Sequence, residues 1–367
     1  MLRLGIVGIG KIANDYIGLI AGKDVQGVEI SALCSRNTAH VREVAEQYGL
    51  KSVVFSDYAA LLHSGQIEAV LICTPHGQHP AMARQAVEAG IHALVEKPVG
   101  IFADEVAEVV RMLQDRSGLI CGVMYNRRAS QAYRHIHDLV QSGSLGELIR
   151  ASWIITNLYR TDAYYTSSPW RGSWENEGGG LLMTQASHQI DLMQWICGMP
   201  VSVTAHCSTI DRSIQVENDA TLFFSYPNGA SGHFIASAHE CPGTNQLEIC
   251  GTQGTVSITD DCLVKVWSLS EDERLFAKHC HDPFEKVPGS MRTLTFGDAD
   301  NKMQQAATVQ NFANTIRGSE KIYCSLEDGL KSLEIIHGAY LSDWLNETIK
   351  LPADELYFRN NLVRKHM

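Results

Sequence analysis

Residues 4–13 read Leu-Gly-Ile-Val-Gly-Ile-Gly-Lys-Ile-Ala, and the fold of the chain follows from this stretch. A short apolar run leads directly into the pattern G-x-G-x-x-A, and a segment compatible with a helix comes next. Glycines let a backbone approach a pyrophosphate closely, and the N–H groups of a helix N-terminus attract its charge. The alternative is an ordinary glycine-rich turn, but the strand before and the helix after favour a dinucleotide site. We expect the dinucleotide to contact four residues of this turn: Gly8, Gly10, Lys11 and Ile12.

Strand-like and helix-like segments alternate through the rest of the first third of the chain. The strand-like runs are Val28–Cys34, Val53–Phe55, Glu68–Cys73, His92–Glu96 and Leu119–Val123. Strands separated by helices imply right-handed crossovers and a parallel sheet with helices on both faces. Residues 1–123 are therefore predicted to form a dinucleotide-binding domain.

The end of the second strand lacks the carboxylate that binds the ribose hydroxyls in many NAD sites. Cys34 is followed there by Ser35, Arg36 and Asn37. A hydroxyl and a guanidinium suit a 2′-phosphate, which accepts charge-assisted hydrogen bonds. We therefore expect an NAD(P) cofactor, with NADP favoured, that contacts Ser35 and Arg36. If Arg36 only covers the adenine face, NAD stays acceptable.

The run Ala93-Leu94-Val95 ends in Glu96-Lys97-Pro98. Open α/β sheets bind ligands at the carboxyl ends of their strands, so the Lys97 amine is placed to bind a ligand or move a proton. The alternative is a lysine on an ordinary turn. The preceding strand ends at the same edge, where we expect the cofactor to be lined by Thr74, Pro75, His76 and His79, beside Glu96 and Lys97. A lone histidine is more often structural, so neither histidine is expected to be catalytic.

After residue 123 the pattern changes to consecutive strand-like runs with turn signals between them, such as Pro227-Asn228-Gly229. Such hairpins predict a mostly antiparallel sheet, which helices at Val309–Arg317 and Leu326–Asn346 would close. The predicted fold class is α/β, with a doubly wound parallel sheet in 1–123 and an α+β domain in 124–367.

The start of this second domain is rich in aromatic residues: Trp153, Tyr159, Tyr164, Tyr165, Trp170 and Trp174, interleaved with Arg160, Asp162 and Arg171. Flat rings stack on the C–H faces of sugars, and the polar groups hydrogen-bond hydroxyls. The alternative for any one ring is the core of the β domain.

A glycine run, Gly178-Gly179-Gly180, leads into a helix that carries His188 and Asp191. The glycines let backbone approach a ligand closely, and a histidine exchanges protons near neutrality. The alternatives are a core histidine and an ordinary helix carboxylate.

Composition limits the classes of partner. The 367 residues are 45% hydrophobic, which suffices for two packed domains, and the net charge of -11 argues against nucleic acid or an anionic membrane surface. No apolar run approaches the ~18 residues of a spanning helix and no leader precedes the first strand, so we expect a cytoplasmic protein. The 10 cysteines lack a CxxC pair and are expected to be free thiols. His279-Cys280-His281 lacks partners at ligand spacing, so no metal is expected.

The order and spacing of G-x-G-x-x-A, Glu96-Lys97-Pro98, Trp170-Arg171 and Gly178-Gly179-Gly180 before His188 resemble the glucose-fructose oxidoreductase, inositol dehydrogenase and rhizopine-catabolism (Gfo/Idh/MocA) family. The resemblance covers nearly the whole chain. It implies an N-terminal Rossmann domain and a C-terminal domain with a large open antiparallel sheet. It also implies a homodimer or homotetramer formed through that sheet, and NAD(P)-dependent dehydrogenases or reductases of sugars, inositols and their derivatives.

The resemblance also implies residue roles. Lys97 and His188 match the family's catalytic lysine, which usually adjoins a cis peptide, and its acid–base histidine. Trp170 and Arg171 match a pair near the nicotinamide. Many members carry an aspartate four positions before the histidine, where this chain has Thr184. The expected substrate contacts are Lys97, Tyr159, Arg160, Trp170, Thr184 and His188.

Our hypothesis is hydride transfer between nicotinamide and a carbinol or ketone carbon, with His188 exchanging the hydroxyl proton and Lys97 bonding the same oxygen. Two alternatives remain: an NAD-dependent glycosidase that oxidises its substrate transiently, and a sugar-sensing regulator without turnover.

Overall fold

The computed structural model describes residues 1–168 and 170–366. Met367, the last residue of the predicted second domain, lies outside them. The chain divides into two compact units: residues 1–129 with 300–333 form the first, and residues 130–299 with those from 334 onwards form the second. The predicted single boundary after residue 123 differs from this division. No helix of the described part of the chain is long and apolar enough to cross a membrane.

The first unit contains a parallel sheet of six described strands in the order β3-β2-β1-β4-β5-β6. Their bounds are β1 Leu2–Val7, β2 Val28–Cys34, β3 Val53–Phe55, β4 Ala69–Ile72, β5 His92–Val95 and β6 Cys121–Val123. All four residues of β4 are buried, as expected for a central strand covered on both faces. The strand order reverses between β1 and β4, and ligands of such sheets bind at this reversal.

Helices follow the strands of this sheet: α1 Lys11–Ala21, α2 Thr38–Gln47, α3 Tyr58–Leu62, α4 His79–Glu88 and α5 Ala103–Gln114, with short 3-10 turns at His76–Gln78 and Asn126–Ala129. Their starts obey simple capping chemistry. Asn37 accepts a hydrogen bond from the His40 N–H at the start of α2, and Asp57 accepts one from the Ala60 N–H at the start of α3.

The second unit is built on a sheet of nine described strands in the order β14-β13-β12-β11-β7-β10-β9-β8-β15. Their bounds are β7 Leu148–Ile155, β8 Ser202–Ser208, β9 Asp219–Ser225, β10 Ser231–Ser237, β11 Asn245–Gly251, β12 Gly254–Thr259, β13 Leu263–Leu269, β14 Gly289–Thr295 and β15 Ile349–Lys350. Neighbouring strands are antiparallel except β7 and β10, which are parallel. Buried and exposed residues alternate, so one face of the sheet is covered and the other is open.

The helices of this unit up to residue 299 are α6 Gln131–Gln141, α7 Asp162–Thr166, α8 Trp174–Glu177, α9 Leu181–Thr184, α10 Ser187–Cys197 and α11 Glu273–His279. On the covered face, Trp153 meets Phe234 edge to face, and its indole N–H donates to Asn245. Helix α10 packs beside α6, where His137 stacks on Trp195. The predicted fold class, a parallel Rossmann sheet plus a large mostly antiparallel sheet, is confirmed.

Three more helices complete the chain: α12 Asn301–Ile316, α13 Leu326–Leu345 and α14 Glu355–His366. Helix α12 belongs to the first unit and packs against α1. Its residues Val309 and Phe312 are part of the hydrophobic core of that unit. It starts eight residues before the predicted Val309. Its first buried positions, Gln304 and Gln305, are polar, so the apolar period that marks a helix is missing there.

Candidate active site

The turn between β1 and α1 requires glycine at its first position. Gly8 has φ +85°, and a Cβ there would lie 2.8 Å from the backbone of Cys73 and Thr74 at the end of β4. The Gly8 N–H donates to the Cys34 carbonyl at 3.0 Å, and the Cys73 N–H donates to the Val7 carbonyl at 2.9 Å. The ends of three central strands therefore meet around a residue that has no room for a side chain.

The start of α1 has room for a ligand. Gly10 caps this helix without a side-chain hydrogen bond, and a Cβ built on it meets nothing within 4 Å in the described residues. The first N–H groups of a helix have no partner within it and lie at the positive end of the helix dipole. Lys11 is exposed and Ile12 half-buried beside it. Contact of Gly8, Gly10, Lys11 and Ile12 with the pyrophosphate of a dinucleotide stays a prediction.

Ser35 and Arg36, which are predicted to contact the cofactor, follow the end of β2. Ser35 is half-buried and Arg36 is exposed, and Arg36 makes no hydrogen bond or ion pair within the described residues. Burial and then Asp57 raise the pKa of the Cys34 thiol to about 11, so an acid does lie near this strand end. Its carboxylate, however, caps α3.

Glu96 braces the end of β5. It is 8% exposed, and its carboxylate accepts hydrogen bonds from the Tyr16 hydroxyl on α1 and, at 2.9 Å, from the Lys97 N–H. Burial raises its pKa. The carboxylate therefore joins the helix of the dinucleotide turn to the backbone of Lys97. The Lys97 side chain is half-buried, and the Lys97–Pro98 peptide is cis.

His79 connects the loops that follow β4 and β5. Its ring nitrogens Nδ1 and Nε2 each lie 2.8 Å from a carbonyl oxygen, of Pro98 and Thr74 respectively. Burial lowers the pKa of His79. His76 is also buried, whereas Pro75 is exposed and Thr74 half-buried. Of the residues predicted to line the cofactor here, His79 therefore links the two loops by hydrogen bonds.

In the second unit, the three consecutive glycines pass between tightly packed neighbours. Gly178 ends α8 with φ +68°. A Cβ on Gly179 would lie 2.2 Å from the Tyr340 hydroxyl, and one on Gly180 would lie 2.0 Å from the Glu217 carbonyl oxygen. The glycine run is therefore required by protein packing.

Glu217 holds the end of this run. Its buried carboxylate accepts hydrogen bonds from the Gly180 N–H at 2.9 Å, the Leu182 N–H at 2.8 Å and the Tyr340 hydroxyl at 2.8 Å. The carboxylate thus caps α9 from a different segment of the chain, a favourable position for a negative charge. Burial raises the pKa of Glu217 to about 7, against the opposing effect of these hydrogen bonds.

A second buried glutamate holds the segment before the run. Glu177 accepts a hydrogen bond from the Gly172 N–H at 2.5 Å, and Arg171 Nη1 lies 3.8 Å from its other oxygen. Burial raises its pKa to about 7. The Arg171 guanidinium lies over the rings of Tyr164 at 4.2 Å and Trp170 at 4.4 Å. The predicted Trp-Arg pair is thus stacked.

Helices α9 and α10 present a short polar face. Thr184, Gln185 and His188 are half-exposed, whereas the intervening Ala186 and Ser187 are buried. The Thr184 hydroxyl donates to the Gly180 carbonyl at 2.7 Å. Asp191, weighed as a helix carboxylate, is fully buried and accepts a hydrogen bond from Gln194.

The six rings of the predicted aromatic cluster differ in burial, and Tyr164 and Tyr165 are half-buried. Trp153 and Trp174 are buried, and Trp174 packs against Tyr340 and Trp344, so these two belong to the core. Tyr159 and Trp170 are exposed, and Arg160 donates to the Tyr159 carbonyl at 2.8 Å. The alternative of a core role is right for Trp153 and Trp174.

Sequence reasoning missed Gln185, Glu217 and Tyr340. Gln185 carries a signal, since it lies three residues before His188, in the turn between α9 and α10. Glu217 and Tyr340 reach the glycine run from distant segments and give no local pattern. His279 of the fragment weighed as a metal site pairs with Glu271 at 2.8 Å. The described residues contain no group of three or more His, Cys, Asp or Glu arranged to hold a metal ion.

Comparisons with known proteins agree with this architecture. Residues 2–125 match the model described as oxidoreductase family, NAD-binding Rossmann fold, and residues 133–257 match the GFO/IDH/MocA C-terminal domain. The chain belongs to the Gfo/Idh/MocA family. It is therefore an oxidoreductase of an NAD-binding family, and the predictions of family, enzyme class and NAD(P) cofactor are confirmed.

Relatives cover almost the full length of the chain. Trans-1,2-dihydrobenzene-1,2-diol dehydrogenase of Bos taurus is 24% identical over 95% of this chain and 96% of its own. D-apiose dehydrogenase of Rhizobium rhizogenes is 22% identical over 96% of this chain and 98% of its own. The solved structure of levoglucosan dehydrogenase in complex with NADH superposes with a TM-score of 0.81 at 20% identity, over 96% of this chain and 100% of that one. This last likeness shows the shared fold.

Glu217 generates a prediction about stability and pH. Its pKa is about 7 in the folded protein against about 4.5 in an unfolded chain, so the folded state holds an extra proton between these values. Stability from this group is therefore lost as pH rises from about 4.5 to 7, by at most ~1.4 kcal/mol per pH unit. We expect the thermal unfolding temperature of the wild type to fall more steeply across this window than that of Glu217→Gln, as measured by calorimetry.

The control is Glu240→Gln, which changes an exposed glutamate of the same unit. Its thermal unfolding temperature should change with pH as steeply as that of the wild type. Equal slopes in all three proteins would refute the proton uptake assigned to Glu217.

Proposed function

We propose that this chain transfers hydride between a nicotinamide dinucleotide and a carbinol or ketone carbon of a sugar, cyclitol or derivative. The observation that carries the proposal is the open space at Gly10 before the uncapped start of α1, in a chain of an NAD-binding oxidoreductase family. The relatives named above are dehydrogenases of a diol, of D-apiose and of levoglucosan, all of which carry hydroxyl groups on carbon.

We assign the proton chemistry to two residues. When bound, the nicotinamide supplies the hydride acceptor or donor. His188 takes the hydroxyl proton during oxidation and returns it during reduction. Lys97, at the carboxyl end of β5, hydrogen-bonds the same substrate oxygen. Support comes from the half-exposed side chains of both residues and from the bracing of Lys97 by Glu96. We also keep Tyr159, Arg160, Trp170 and Thr184 as proposed substrate contacts.

We further propose that the cofactor is NADP. The guanidinium of Arg36 is exposed at the end of β2 and has no partner in the described residues, so it is available to a 2′-phosphate.

The open face of the nine-stranded sheet supports the predicted homodimer or homotetramer. It carries Ile154, Phe223 and Trp267, which are 40%, 42% and 43% exposed, along one side of the sheet. Ile154 pairs across strands with Ile235, so the apolar surface continues over β10. We propose that a second copy of the chain covers this face, and sedimentation velocity measures the oligomeric state directly.

A cytoplasmic location stays a prediction.

Two other functions use the same fold. An NAD-dependent glycosidase would release an aglycone without net NAD(P)H, and a sensor would bind sugar without turnover. Neither is favoured by a particular observation. A panel of myo-inositol, D-glucose, levoglucosan and aryl glycosides, followed by nicotinamide absorbance and aglycone release, separates the three. We expect stoichiometric NADPH without aglycone.

The role of Lys97 is tested by Lys97→Met with the best substrate of that panel. Turnover should fall by at least about a hundredfold, because the loss of a charged hydrogen bond to an oxygen whose charge develops in the transition state costs about 3–4 kcal/mol. NADPH affinity should stay within a few-fold, and the exposed Lys51→Met control should match the wild type in both. Wild-type turnover in Lys97→Met would remove this mechanism.

The cofactor preference is tested by Arg36→Ala. A charged hydrogen bond contributes about 1.5–3 kcal/mol, so the variant should bind NADPH roughly tenfold or more weakly, with little change for NADH. Fluorescence titration of both cofactors measures this, with Arg42→Ala on the surface of α2 as the control. If the wild type binds both cofactors equally, the assignment to Arg36 fails.

A further inference from the structure

The hydroxyl of Tyr164 occupies an unusual position in the second unit. It accepts a hydrogen bond from Arg171 Nη1 and a second one, at 2.8 Å, from Gln185 Nε2. A phenol oxygen has two lone pairs and one proton. Both lone pairs are therefore used, and the proton must be donated in a third direction.

The described residues offer no acceptor for this proton, and none of them donates to Oε1 of Gln185. Tyr164 and Gln185 are both half-exposed. If the Gln185 amide is turned over, Oε1 accepts the phenol proton and the amide N–H groups point outwards instead. In either orientation, the two residues together present a hydrogen-bond donor to solvent or to a ligand.

Three stacking contacts hold Tyr164 and Arg171 in position. The Arg171 guanidinium lies 4.2 Å from the Tyr164 ring centre and is itself stacked on Trp170. The ring of Tyr165 meets that of Tyr164 edge to face at 5.1 Å. A donated bond from a cation also polarises the phenol and strengthens its own O–H as a donor.

The pair lies beside the proposed acid–base residue. Gln185 precedes His188 by three residues, and both are half-exposed although Ala186 and Ser187 between them are buried. Gln185 and Ala186 form the turn between α9 and α10, and His188 is the second residue of α10. The half-exposed side chains of Gln185 and His188 therefore flank the same short turn.

We propose that Tyr164 and Gln185 form a hydroxyl-recognition pair, which binds one hydroxyl group of the substrate next to the carbinol that His188 deprotonates. The inference rests on the proposed function and refines its substrate class: a compound with at least two neighbouring hydroxyls. With Gln185 Nε2 towards Tyr164, as the structure has it, a hydroxyl satisfies the Tyr164 proton and the Gln185 carbonyl together, because it both donates and accepts, whereas a lone ketone or ether oxygen satisfies only the donor.

The test compares the wild type, Tyr164→Phe and Gln185→Glu. Phenylalanine keeps the ring and removes the donor. The Gln185→Glu carboxylate would accept the Tyr164 proton and so withdraw it from a ligand. The control is Tyr357→Phe, the same chemical change at an exposed tyrosine of α14. The probes are myo-inositol, D-glucose and levoglucosan, and then the monodeoxy analogues of whichever binds most tightly.

Binding is measured by calorimetric titration of the NADPH-loaded protein, and kcat/KM by absorbance. We expect Tyr164→Phe and Gln185→Glu to weaken binding and kcat/KM for the parent compound about tenfold to a hundredfold. One monodeoxy analogue lacks the recognised hydroxyl. All four proteins should bind this analogue with the same affinity and turn it over with the same kcat/KM. Thermal unfolding temperatures close to the wild type show that the variants are folded.

The pair is overturned if Tyr164→Phe and Gln185→Glu lose the same factor in affinity and kcat/KM with every analogue. It is also overturned if they lose neither affinity nor kcat/KM with the parent compound. If a probe binds in a Tyr164-dependent manner but is not oxidised, the pair stands and the proposed hydride transfer fails. If none of the probes binds, the proposed function and the pair fail together.

Discussion

The close approach of the β1–α1 turn to the end of β4 is the constraint on which the first unit depends. Gly8 fills the space against the backbone of Cys73 and Thr74, and its positive φ turns the chain out of the sheet and into α1. Any side chain would push these strands apart. The start of α1 follows this turn directly, and an anion at the start of a helix is stabilised by the free N–H groups and the helix dipole.

Buried carboxylates fix the elements that carry the proposed chemistry. Glu96 joins α1 to the backbone of Lys97, and Glu217 joins the glycine run to Tyr340 and the start of α9. Burial raises the pKa of both, which shows that each charge is held at an energetic cost. Hydrogen bonds from backbone N–H groups offset part of that cost and set positions that apolar contacts alone would leave loose.

Secondary-structure elements could be predicted from the sequence wherever the local pattern and the tertiary packing agree. The alternation of β1 to β6 with helices and the glycine pattern are local signals. Strand β14 could not be found, because its residues are almost all exposed and show no alternation. The start of α12 could not be predicted because its first buried residues are glutamines. Glu217 and Tyr340 contact the glycine run from segments far apart in the chain. These features depend on tertiary contacts, which a local pattern does not encode.

The central claim is that the start of α1 holds the pyrophosphate of the cofactor, and Gly10→Ala tests it most directly. Gly10 has φ -101° and open space around its Cβ position, so an alanine leaves the fold intact and places a methyl group where the pyrophosphate would lie. The account predicts an unchanged thermal unfolding temperature without cofactor, and dissociation constants for NADPH and NADH that both rise roughly tenfold or more. Unchanged affinities for both cofactors in a folded variant would contradict it.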